Sequence, residues 1–133
     1  MNRTVLDTEQ LITFWNRQRD ATGERTPTPD AAEAWGRLHA RRTGTKAILS
    51  PTYLEFVGGA RSGEELKAFR AFLATFEVVD GWEIRPIDLE GARRRAERVP
   101  PNRKRRGAVD CLIRAVASRL GYAVRTRDRG FPT

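Results

Sequence analysis

The stretch Thr4-Val5-Leu6-Asp7-Thr8-Glu9-Gln10-Leu11-Ile12 decides the fold. An apolar run ends in an acid, a hydroxyl residue follows, and Leu11, Ile12, Phe14 and Trp15 then recur at helical spacing. That pattern predicts a short buried strand over Arg3 to Leu6 passing at once into a helix that Thr8 can cap. Further along, Lys46 to Leu49 is a second apolar run, and Ser50-Pro51 after it carries a capping hydroxyl and an early proline, which predicts another helix start. Tyr122 to Arg125 is a third such strand near the end of the chain.

Between these points the chain alternates helices and strands. Gly23 and the prolines at 27 and 29 break the first helix, and Ala34, Trp35 and Leu38 carry a second over Asp30 to Arg42, which Gly44 stops. Ser62 with Glu64 and Glu65 starts a helix with Leu66, Phe69, Phe72, Leu73 and Phe76 on one face. Glu77 to Ile87 is one strand with a loop, or a short hairpin about Asp80-Gly81. Helices are predicted over Asp88 to Val99 and Arg106 to Leu120. The order βααβααβααβ favours an α/β fold, a three-layer α/β/α sandwich about a parallel sheet of four to five strands.

A chain of 133 residues suits one domain with a core of its own, spanning residues 1–133. No stretch approaches the roughly 20 apolar residues of a membrane span, and the first residues lack an apolar signal region, so a cytoplasmic protein is expected. Cys111 is the only cysteine, which excludes an internal disulfide; its place on the apolar face of a helix predicts a small buried hydrophobe. His39 is the only histidine, which excludes a two-histidine acid/base pair; it is expected on or near a helix surface.

Four acids, Asp7, Glu55, Asp110 and Asp128, fall where one element turns into the next. In an open parallel sheet the carboxyl ends of the strands face a common crevice. Carboxylates gathered there raise each other's pKa unless a cation stands between them, and a hard divalent metal suits oxygen ligands. Taken singly, each acid also reads as a solvated carboxylate or a helix cap. Glu55, amid Tyr53, Leu54, Phe56 and Val57, sits least comfortably as an unpartnered charge.

Basic charge is concentrated in one segment. Arg93, Arg94, Arg95, Arg98, Arg103, Lys104, Arg105 and Arg106 stand against the single acid Glu97, so +7 of the chain's +8 lies between residues 93 and 106. This is either a polyanion-binding patch or a solvated helix face followed by a loop.

Leu6-Asp7-Thr8 with Leu11-Ile12, the helix start from Ser50 to Glu55, the run from Val109-Asp110 to Ala117, and Thr126-Arg127-Asp128 before Phe131 together resemble PIN-domain ribonucleases of the VapC toxin type. The resemblance spans nearly the whole chain. It implies an Mg²⁺- or Mn²⁺-dependent endoribonuclease acting on cellular RNA, silenced by a cognate antitoxin protein and forming a homodimer. Asp7, Glu55 and Asp110 would be the core metal-binding acids, Asp128 the fourth, with Thr8 and Thr126 as supporting polar residues. Glu9 departs from the small polar residue usual after Leu-Asp-Thr.

The aromatic supply of Trp15, Trp35, Phe69, Phe72 and Phe76 points toward a homodimer as well. The basic residues Arg103, Lys104, Arg105 and Arg106 are candidate RNA phosphate contacts. Two other readings stand beside the toxin: an RNA-binding PIN-like module without catalysis, and an RNA-processing nuclease outside any toxin system.

Overall fold

The computed structural model describes residues 3–98 and 107–126. Its elements run β1 (Thr4–Leu6), α1 (Thr8–Thr22), α2 (Pro29–Thr43), β2 (Ala47–Ile48), α3 (Ser50–Gly58), α4 (Gly63–Leu73), β3 (Glu77–Val78), α5 (Pro86–Glu97), α6 (Ala108–Leu120) and β4 (Ala123–Arg125). This is the order expected from the sequence.

The sheet is smaller than expected. Instead of one ladder of four to five strands, the described residues form two parallel pairs, β1 with β4 and β2 with β3. Strands of two or three residues have few backbone groups with which to pair. Where β1 and β2 meet, the Thr45 hydroxyl donates to the Thr4 carbonyl at 2.8 Å, so a side chain takes the place of a ladder bond. The spatial order is β4-β1-β2-β3.

Alternation along these strands feeds two cores. Leu6 and Ile48 join Leu11, Phe14, Trp15, Trp35, Phe56, Phe69 and Phe72 from α1 to α4. Val5 and Leu49 join Ile113, Val116 and Ala117 of α6, against which α5 packs. Successive strand residues point to opposite faces, so helices cover both sides of the strands. The aromatic residues invoked for a homodimer are consumed here: Trp15, Trp35, Phe69, Phe72 and Phe76 are all buried in the first core. Trp15 alone meets Trp35, Phe56, Phe69 and Phe72 edge-on at 4.9–6.0 Å.

Helix starts differ from the expected caps in two places. Asp7, not Thr8, caps α1, its carboxylate accepting the Gln10 amide at 3.0 Å. Ser50 is already helical, and its amide and hydroxyl both donate to Asp80 Oδ2, at 3.0 and 2.6 Å. The open question at Glu77 to Ile87 resolves as a two-residue strand and a turn. Asp80 closes that turn by accepting the Trp82 amide at 3.0 Å, which holds Trp82 at φ 61. A non-glycine residue there costs about 1 kcal/mol or more; the edge-on contact of its ring with Tyr53 at 5.2 Å helps to offset it.

Candidate active site

Asp7 is the residue immediately after β1, and its amide donates to the Arg125 carbonyl at the end of β4, at 3.3 Å. The carboxyl ends of β1 and β4 are therefore tied together at this acid. Helix α6, with Asp110 in its first turn, joins the start of β4 through Gly121 and Tyr122 and packs against it, and the strand runs to its carboxyl end at Arg125. Thr126 follows β4 there. This is the crevice in which open α/β sheets bind ligands.

Four buried acids can be compared by what stabilises each charge. Asp88 is held by the Arg119 guanidinium through two bonds of 2.7 and 2.9 Å and by the Arg85 amide at 2.8 Å. Burial pushes its pKa up, but the Arg119 hydrogen bonds, the Arg85 amide and the charges of both arginines bring it below the usual carboxylate value. Glu65 accepts the Arg61 amide at 2.9 Å and has that guanidinium 3.7 Å away. Asp80 takes three donors from Ser50 and Trp82. Asp7, 3% exposed, has the Gln10 amide at the N-terminus of α1 and, among the described residues, no cationic side chain. A helix N-terminus supplies only part of a positive charge. A buried anion so weakly compensated fits a cation ligand.

The other expected site residues are dispersed differently. Asp110 is half-buried and forms an ion pair at 3.5 Å with Arg114, one helical turn on and itself buried. Glu55 is exposed and lines a groove between α1, α3 and α4 with Ile12, Asn16 and Arg19. Thr8 is buried beside Asp7, and among the described residues its hydroxyl has no hydrogen-bond partner, nor has that of buried Thr52 in the first turn of α3. Glu9 is exposed. Among the described residues no three His, Cys, Asp or Glu side chains stand close enough to hold one metal ion, so Asp7, Glu55 and Asp110 do not by themselves make the expected cluster. Asp128, Arg103, Lys104, Arg105 and Arg106 lie outside the described residues.

Sequence reasoning missed Asp80, Thr52 and Arg114. Asp80 read as a turn residue because Gly81 follows it. The i,i+4 spacing of Asp110 and Arg114 was a visible signal for their ion pair. Cys111 is buried, as expected. His39, expected on or near a surface, is 4% exposed and stacks on Phe14 with ring centroids 4.2 Å apart.

The PIN-domain family model matches residues 5–133, and the chain belongs to the PIN-domain family. PIN domains are α/β proteins and generally nucleases, hydrolases that act on RNA and typically use divalent metal ions. No curated protein and no solved structure matches the chain. Among the described residues no helix is long and apolar enough to cross a membrane.

Proposed function

We propose that the chain is a metal-dependent endoribonuclease and the toxin of a toxin–antitoxin pair, acting in the cytoplasm. The observation that carries the nuclease reading is Asp7: a buried carboxylate without a cationic partner among the described residues, at the carboxyl end of β1 where β4 meets it. Asp7, Asp110 and Asp128 would hold Mg²⁺ or Mn²⁺, with Glu55 as the further acid and Thr8 and Thr126 as supporting polar groups. Oxygen donors of this kind fit a hard cation. Such an ion, when bound, lowers the pKa of water and offsets charge on a phosphodiester.

The protein's own part is positioning. The α1 cap fixes the Asp7 carboxylate, the Arg114 ion pair fixes Asp110, and the core beneath Thr8 keeps water from one side of the site. Arg103, Lys104, Arg105 and Arg106 are proposed phosphate contacts. The toxin assignment, the antitoxin and the homodimer rest on the resemblance. Exposed Leu54, Trp82, Ile87 and Leu89 supply apolar surface for protein partners in place of the buried aromatics.

A second reading has one observation in its favour. Asp110 is already neutralised by Arg114, and the three described acids form no group of their own, as in a PIN-like module that binds RNA without cutting it. RNA incubated with the wild type and with Asp110→Asn, in Mn²⁺ and in EDTA, separates the two. Cleavage confined to the wild type in Mn²⁺ supports the nuclease; binding in EDTA with no cleavage in Mn²⁺ supports the module.

A further inference from the structure

A second cavity, of about 200 Å³, opens between α1, the C-terminal end of α2 and the end of β4. Gln10, Arg17, His39, Arg42, Thr43 and Arg125 line it, and among the described residues no acid does. Among the described residues none of the three arginines forms an ion pair. Arg125 is placed by a 2.7 Å bond from its Nη1 to the Thr43 carbonyl, and the Arg42 guanidinium lies over the Phe14 ring at 5.9 Å. Phe14 also stacks on His39, whose buried Nε2 has no hydrogen-bond partner among the described residues.

Three guanidinium groups, the Gln10 and Gln18 side-chain amides and an imidazole nitrogen without a partner among the described residues form a site for a compact oxyanion. Two of the residues that line the cavity are bonded to Asp7 through their backbones. The Gln10 backbone amide donates to the Asp7 carboxylate, and the Arg125 backbone carbonyl accepts from the Asp7 amide. We infer that this pocket binds a phosphate group, held by Arg17, Arg42 and Arg125 with His39 at its base. That the phosphate belongs to an RNA strand lying across Asp7 rests on the nuclease reading; the pocket's affinity for phosphate does not.

His39 also reports on the site. Burial first, then the charges of Arg125 and Arg42, lower its pKa to about 4, so the ring is neutral at pH 7. A bound phosphate would offset both arginines and raise it. His39 is the only histidine, so its ring resonances in an NMR spectrum need no assignment by mutation.

The metal-free wild type is titrated at constant ionic strength with inorganic phosphate, with chloride, and with one short oligonucleotide with and without a terminal phosphate. A saturable displacement of the His39 resonances by phosphate and not by chloride is expected. Arg17→Gln/Arg42→Gln, two exposed positions, should weaken it about tenfold or more. A response only to the terminally phosphorylated oligonucleotide assigns the pocket to a strand end, and a response to both assigns it to an internal diester. Equal effects of phosphate and chloride, or an unaltered response in the double variant, would overturn the inference. RNA cleavage in Mn²⁺ by the same samples keeps the two readings apart: phosphate binding without cleavage removes the nuclease and leaves the pocket, and cleavage without a phosphate response removes the pocket alone.

Discussion

The Asp7 amide donates to the Arg125 carbonyl at 3.3 Å, and this bond joins the candidate metal acid to the arginine-lined pocket. Asp7 thus has three tasks: its amide pairs β1 with β4, its carboxylate caps α1, and the same carboxylate is the proposed cation ligand.

The cap and the ligand roles separate by substitution. Asp7→Asn retains a residue that caps as well as Asp, so its melting temperature without metal should stay at or above that of the wild type, while cleavage is lost. Asp7→Ala should lose the cap as well, at about 1 kcal/mol. Thermal melts in EDTA alongside RNA cleavage in Mn²⁺ read both effects. An Asp7→Asn protein that cleaves like the wild type ends the catalytic assignment.

Metal should stabilise the folded chain. A ligand that binds only the native state contributes about 2.7 kcal/mol at roughly a hundredfold excess over its Kd. Millimolar Mn²⁺ should therefore raise the melting temperature of the wild type, by relieving a buried and weakly compensated carboxylate, and should leave Asp7→Asn nearly unmoved. Equal shifts in the two proteins would place the ion elsewhere.

The element order was legible because its punctuation is local. Gly23, Gly44 and Gly121 each take the left-handed conformation that ends a helix, and Ser62 caps α4 as its spacing to Glu65 suggests. Sheet size was not legible, since two residues of β2 and a Thr45 side-chain bond leave no periodicity to read. Among the candidate site residues, the position of Asp7 at the end of β1 was legible from its place after Val5-Leu6. Its distinctive state was not: the contrast with Asp80 and Asp88 depends on Ser50, thirty positions from Asp80, and on Arg119, thirty-one from Asp88. The same holds for the arginine pocket, which draws on residues 10 to 125.

Gly36 also required the structure. It lies inside α2, where an exposed glycine gains about 1 kcal/mol on replacement by alanine. Here a Cβ would sit 2.5 Å from the Phe72 carbonyl and against the Thr75 side chain, because α2 and α4 pack at backbone contact. Gly36→Ala should therefore destabilise by about 1–3 kcal/mol in urea unfolding. Adding Thr75→Ala should recover only part of this, since the Phe72 carbonyl stays. A neutral or stabilised Gly36→Ala would mean that the two helices can part at little cost.

His39 makes stability depend on pH in a defined window. Its pKa is lowered from 6.5 to about 4, first by burial, then by the charges of Arg125 and Arg42. Between those two values the unfolded chain binds a proton that the folded chain does not. The contribution of neutral His39 is therefore fully present above pH 6.5 and is lost as pH falls toward 4, by up to on the order of 3 kcal/mol. His39→Phe keeps a ring against Phe14 and removes the proton site, so its stability should fall less over the same range. Urea unfolding of both proteins at about pH 7 and about pH 4.5 gives the difference directly, with the carboxylates common to the two cancelling. A gap between wild type and variant that stays constant across the window would mean that His39 is protonated in the folded state at the same pH as in the unfolded chain.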